Sequence, residues 1–169
     1  KESAESWDAT GWFDTGDIGE YDGDGFLRIT DRKKDLIKTS GGKYVAPQKV
    51  ENLLKLQPHV SQAVVIGDQR NYCLALLTLD ADAMAAWARD AGVTDTTPAA
   101  LAAHPAVQAL MEGEVAAVNA HLASFETVKK FHILPEELTV EGGDLTASLK
   151  VKRKVVTQRF VREIAALYR

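Results

Sequence analysis

Residues 72–79, Tyr-Cys-Leu-Ala-Leu-Leu-Thr-Leu, hold no charge, and residues 63–67, Ala-Val-Val-Ile-Gly, precede them across a polar Asp68-Gln69-Arg70-Asn71 turn. Runs this short and apolar read as two buried strands. Helical patterns precede and follow them. Pro47 suits the first turn of a helix running to about Leu56, with Val50, Leu53, Leu54 and Leu56 on its apolar face. Asp80 or Asp82 can cap a second helix, in which Met84, Trp87, Ala88 and Ala91 fall at helical spacing. Val107, Leu110, Met111, Val115, Val118 and Leu122 mark a third. Residues 92–104 read as a looser Thr/Ala/Pro stretch, residues 131–134 as another strand, and Gly142-Gly143 as the end of a polar loop. A basic C-terminal helix follows, with Val156, Phe160, Ile164 and Leu167 inward. Ahead of all this, Asp22-Gly23-Asp24-Gly25 is a hairpin turn between short apolar pieces at 18–21 and 26–30. The expectation is an α+β domain: a short mixed sheet flanked by helices and preceded by a β-hairpin arm.

With 46% apolar and 26% charged residues in 169, the chain is globular in composition. Its net charge of −4 argues against a general nucleic-acid binder. The charge is uneven: residues 149–169 hold seven Lys/Arg against one Glu, a local +6 that leaves −10 on the rest. A basic tail on an acidic body suggests a local anion site or a docking face. The single cysteine, Cys73, excludes an internal disulfide, sits in an apolar strand and fits a reducing cytosol. No apolar run reaches the length of a membrane-spanning helix, and no signal peptide is visible. His59, His104, His121 and His132 are scattered without ligand spacing. The acidic Asp22–Gly25 turn lacks the closing Glu of a calcium loop, so no metal site is expected.

Two phrases carry the chemistry. The first is Gly11-Trp12-Phe13-Asp14-Thr15-Gly16-Asp17; the second runs from Asp31-Arg32-Lys33-Lys34-Asp35-Leu36-Ile37-Lys38 through Gly41-Gly42-Lys43 to Glu51. They set an acid, an arginine and several lysines around glycine turns. That suits a ligand with a hydroxylated sugar and a phosphate: Asp17 can accept from ribose hydroxyls, and Arg32 can donate a planar fork. Taken singly, Asp17 is equally a turn aspartate bonding its own backbone, and residues 31–35 are equally a solvated charge run. A third element, Leu145-Thr146-Ala147-Ser148-Leu149-Lys150, opens the basic tail.

Together these phrases resemble the adenylate-forming (AMP-binding) acyl-CoA synthetases, most closely the long-chain fatty acid–CoA ligases. The resemblance extends from Trp12 to the C-terminal helix and is weakest at 92–130. It implies two steps: a fatty acid and ATP give acyl-AMP and pyrophosphate, and CoA then displaces AMP. It implies that Asp17 and Arg32 bind the nucleotide's ribose. It makes Lys34 the hinge about which a small domain swings between the steps. Lys150 would enter the site for adenylation, with Lys152 and Lys154 near enough to leave that register open. Lys38 would enter for thioester formation, Gly41 would line the pantetheine channel, and Lys43 would meet a phosphate. Most relatives carry Gly-Lys where this chain has Leu149-Lys150. The resemblance divides the chain into the end of a large adenylation domain (1–31), a hinge (32–35) and a mobile C-terminal domain (36–169). ATP/AMP, CoA and magnesium follow as cofactors and substrates, the magnesium carried with ATP and not bound by these residues. The missing N-terminal domain is the expected partner, the chain alone is expected to be inactive, and a cytoplasmic location is expected, with peripheral membrane contact left open. Two other readings stand beside this one. They are a reductase or carrier-protein ligase of the same superfamily, and a non-catalytic interaction module with a basic docking helix.

Overall fold

The computed structural model describes residues 7–169. Its centre is a three-stranded sheet of β5 (Val60–Ile66), β6 (Cys73–Leu79) and β7 (Val128–Ile133), in the order β5-β6-β7. β5 and β6 pair antiparallel, with Val65 opposite Ala75. β6 and β7 pair parallel, with Leu77 opposite Ile133. The sheet is therefore mixed, as expected. All seven residues of β6 are buried, and they divide by the two-residue period of a strand. Cys73, Ala75, Leu77 and Leu79 join one core, and Leu74 and Leu76 join the other.

The larger core lies under four helices: α1 (Pro47–Lys55), α2 (Ala81–Ala91), α3 (Pro98–Ala103) and α4 (Pro105–Asn119). Val50 and Leu54 of α1, Met84 of α2 and Met111 of α4 are its fully buried anchors. Asp80 is the cap of α2, accepting a hydrogen bond from Ala83 N–H at 2.9 Å, and Gly92 ends that helix with φ 68°. The smaller core lies under α5 (Arg153–Arg159) and α6 (Val161–Leu167), and takes Val156, Ile164 and, between the two helices, Phe160.

Local readings needed correction at several points, among them that Leu122 lies past the end of α4 and that the strand read at 131–134 begins at Val128. Residues 92–104 are not uniformly loose, because Thr97 caps Pro98 to form α3, burying Leu101 and Ala102. The C-terminal helix is two helices, broken at Phe160, whose φ/ψ of −103°/30° leaves the helical region. The inward face survives the break. Leu56 lies past the end of α1 and is 77% exposed, while Glu51 takes a buried place on that helix instead.

The arm is a separate two-stranded ladder, β1 (Asp17–Tyr21) against β2 (Leu27–Arg32). Asp22 closes it, its Oδ1 accepting from Asp24 N–H (3.0 Å) and Phe26 N–H (2.9 Å). A 3-10 turn, Lys33–Asp35, joins the arm to the body, followed by the small hairpin β3 (Ile37–Lys38) and β4 (Tyr44–Val45). One residue of the charged 31–35 run is not solvated. Asp31 is 2% exposed, and its carboxylate accepts from Arg32 N–H (2.7 Å) and from Gln48 N–H at the start of α1 (3.0 Å). α1 has no side-chain cap from its own segment, so the arm supplies the anion its N-terminus favours.

Candidate functional site

Arm, 3-10 turn, α1 and the start of α5 meet around a groove of about 1020 Å³. Its lining carries seven Lys/Arg against three Asp/Glu, including Arg32, Lys34, Lys55, Lys150, Lys152 and Lys154. Such a surplus of fixed positive charge favours an anion such as a phosphate. Arg32 and Lys34 therefore face one space with Lys150, which lies far along the sequence.

Asp17 and Arg32 stand opposite each other on the β1–β2 ladder. Arg32 Nε meets Asp17 Oδ1 at 2.8 Å, and Arg32 Nη1 donates to the Thr15 carbonyl at 3.3 Å. The pair is partly open to solvent, so both side chains keep surface for a ligand. Beside it, Lys33 Nζ reaches Asp14 Oδ2 at 3.1 Å. The Gly16 N–H and then Lys33 hold the Asp14 carboxyl below its ordinary value.

Lys150 ends a tight turn. Thr146 N–H donates to the Lys150 carbonyl (2.8 Å), Lys150 N–H to Thr146 Oγ1 (3.1 Å), and Leu149 N–H to the Thr146 carbonyl (2.9 Å). Leu149 holds φ at 60°, a left-handed conformation that glycine adopts without steric cost and leucine does not. That gives a physical reason for a Gly-Lys pair at this point, and it marks the Leu149 backbone as strained.

Lys38, Gly41 and Lys43 lie elsewhere, on the β3–β4 hairpin outside the groove lining. Thr39 closes the hairpin through Lys43: its N–H donates to the Lys43 carbonyl at 2.9 Å, and its Oγ1 accepts from Lys43 N–H at 3.1 Å. Lys38 Nζ is 5.6 Å from the Tyr44 ring centre, and Lys43 Nζ is 6.0 Å from that of Phe125. The turn needs glycine at Gly42, where φ is 77°; a Cβ at Gly41 would meet nothing within 4 Å. Any steric demand for glycine at Gly41 must come from a molecule outside these residues. The site residues thus divide into two faces.

Sequence reasoning missed the ion pairs made by the two arginines of α5. Glu51 Oε1 accepts from Val65 N–H (2.7 Å) and from Arg153 Nη1 (2.5 Å), and the same Arg153 nitrogen reaches the Val65 carbonyl (2.5 Å). Asp144, fully buried, accepts from Arg159 Nη1 at 2.6 Å, and Arg159 also pairs with Glu136. The Asp144 bond holds Arg159 above its ordinary value. The terminal Glu51 of the second phrase and the basic tail were visible in sequence; their pairing was not. Burial pushes the Cys73 thiol up to about 11, which marks an inert packing group. Among the described residues, no three His, Cys, Asp or Glu side chains group as a metal site, and no helix is long and apolar enough to cross a membrane.

A small helix-flanked mixed sheet, with one lysine turn over a basic groove and a second lysine–glycine hairpin beside it, defines the class: the C-terminal domain of AMP-binding enzymes. The chain belongs to the AMP-binding enzyme C-terminal domain family, whose profile matches residues 34–169. It is 43% identical over 159 residues to the long-chain-fatty-acid–CoA ligase FadD15 of Mycobacterium tuberculosis, covering 94% of this chain and 26% of that protein. Among solved structures it resembles the adenylation domain of a carboxylate reductase from Mycobacterium chelonae, with TM-score 0.77 and 27% identity, covering 99% of this chain and 24% of that one. It also resembles the A domain of a Segniliparus rugosus carboxylic acid reductase in complex with AMP, with TM-score 0.76 and 27% identity over 99% of this chain and 25% of that one. The chain spans about a quarter of the length of these relatives.

Proposed function

We propose that this chain is the C-terminal part of an ATP-dependent long-chain fatty acid–CoA ligase. Residues 1–31 are the end of the large adenylation domain, 32–35 the hinge, and 36–169 the mobile domain. The observation that carries this reading is the division of the lysines: Lys150 shares the basic groove with Arg32 and Lys34, and Lys38 stands with Gly41 on a separate face. An arrangement with Lys150 turned toward the nucleotide-binding pair suits the first half-reaction. Asp17 and Arg32 hold the ribose, and Lys150 neutralises charge building on the carboxylate and α-phosphate as pyrophosphate leaves. A rotation at Lys34 then brings Lys38 and Gly41 to the acyl-AMP, with Gly41 leaving room for the CoA thiol and Lys43 near a phosphate. Magnesium comes with ATP and is held by its phosphates. The 43% identity to a fatty-acid–CoA ligase favours this acceptor over the reductases, which are like the chain at 27%.

The test separates the half-reactions in the full-length protein. Lys150→Ala should slow pyrophosphate exchange by about 100-fold or more and largely spare thioester formation from supplied acyl-AMP. Gly41→Leu should do the reverse. Equal damage to both steps by either variant would count against alternation. At the hinge, Lys34→Pro fixes φ near about −65° and restricts Lys33 as well. It should preserve one half-reaction and abolish full turnover, whereas Lys34→Ala should be mild. Proline as mild as alanine would move the axis to Lys33 or Asp35.

A further inference from the structure

The hairpin that carries Lys150 has almost nothing to lean on. Ala147, Ser148, Leu149 and Lys150 are all exposed, so their side chains are not fixed by packing. Its direction is set at the base, where Leu145 bridges Val151 and Lys152 N–H donates to the Asp144 carbonyl at 2.8 Å. The next residue is Arg153. Its Nη1 is shared between Glu51 Oε1 and the Val65 carbonyl, both at 2.5 Å, and Glu51 Oε1 returns to Val65 N–H at 2.7 Å. This network joins α1, β5 and the first residue of α5. The Glu51 side chain is 10% exposed, and among the described residues Arg153 is the cation that reaches its charge. Wherever α1 and β5 stand, Arg153 must follow, and Lys150 is three residues away along a short hairpin.

We propose that Glu51 and Arg153 are positioning residues for Lys150: the pair fixes where the hairpin leaves the body and thereby where the lysine enters the groove. The inference rests on the reading of Lys150 as the adenylation lysine. Neither residue is asked to touch a reacting atom. A displacement of about 1 Å in a catalytic group can cost on the order of 100-fold in rate, so the pair acts through geometry. The thioester face is anchored differently, with Lys38 N–H donating to Asp68 Oδ1 at 3.1 Å and Ser40 N–H to the Arg70 carbonyl at 2.9 Å. Loss of the Glu51–Arg153 pair should therefore fall on one half-reaction.

The experiment uses the full-length protein with Glu51→Gln, which keeps an acceptor for Val65 N–H without the charge, and Arg153→Lys, which keeps the charge without the fork. Lys150→Ala is measured alongside, and circular dichroism reports folding. Either folded variant should lower kcat for pyrophosphate exchange by about tenfold or more, holding KM for ATP and thioester formation from acyl-AMP within roughly twofold. Equal loss in both half-reactions, or no loss, makes the pair merely structural and overturns the proposal. Failure of both variants to fold overturns it too, because the pair would then determine the fold. If Lys150→Ala cripples exchange and the pair variants spare it, only this inference falls. If Lys150→Ala leaves exchange intact, the functional reading falls and takes the inference with it.

Discussion

β2 and β6 are both short strands that carry large apolar side chains, yet they end in opposite surroundings. β6 buries every residue between two layers of helices. β2 leaves Leu27 and Ile29 more than half exposed, and around it Trp12, Tyr21 and Phe26 are over 70% exposed. The body has solved its hydrophobic problem within itself, and the arm has not. Apolar exposure gathered on one small ladder marks a surface meant to be covered. Under the proposed division of the chain, the cover is the large domain to which the arm belongs. The difference agrees with that proposed division: among the described residues, the first buried apolar side chain is Ile37, just past the 3-10 turn.

The strongest way to sharpen this contrast is to remove a side chain from β6. Leu76→Ala should cost about 2–5 kcal/mol of stability, because Leu76 is fully buried and its neighbours come from both sheet and helices. Denaturant unfolding of the full-length protein measures it. Ile29→Ala tests the other side. If the rest of the protein covers the arm, its cost in the same protein should exceed about 1 kcal/mol; a change within about 0.5 kcal/mol is what a solvent-facing residue gives, and would break the comparison. The smallest effect is electrostatic. Asp14 on the arm and Asp95 in a body loop both lie below their ordinary value of 3.8, each chiefly through a backbone N–H. A depressed carboxyl supports its turn above the ordinary value, and that support is lost as pH falls through the lowered one. Among the described residues, only Asp14 of the two has a cation partner, Lys33. Lys33→Ala should therefore raise the carboxyl titration of Asp14, read by NMR, and leave that of Asp95 in place.

Much of this was legible because it is local. The Asp22–Gly25 turn, the Pro47 helix start and the apolar 72–79 run each announce themselves within a few residues, and each forms as expected. α3 was hidden because six residues hold too little periodicity to count, although Thr97-Pro98 was a usable start signal. The break at Phe160 was hidden because the apolar spacing runs straight through it. Among the site residues, the family resemblance named Asp17, Arg32, Lys34 and Lys150, and the fold gathers the last three on one groove. The partners of the basic tail were illegible for a different reason. Glu51 and Arg153 are 102 positions apart, and no local pattern states which of several lysines and arginines a buried carboxylate will choose.

Asp31 has one consequence that belongs to populations. It sits before the proposed hinge, and the α1 amide it caps, Gln48 N–H, sits after it. A rotation at Lys34 would draw the two apart and return a carboxylate and an open helix end to water. A hydrogen bond to a charged group contributes about 1.5–3 kcal/mol, equivalent to roughly a 10- to 100-fold preference for the orientation described here. On that scale the swing would be uphill at rest, and the second orientation would be a minor species. It would become the major one only if what binds there repays the difference, so under the proposed hinge Asp31→Asn would act as a bias on the equilibrium between two working shapes.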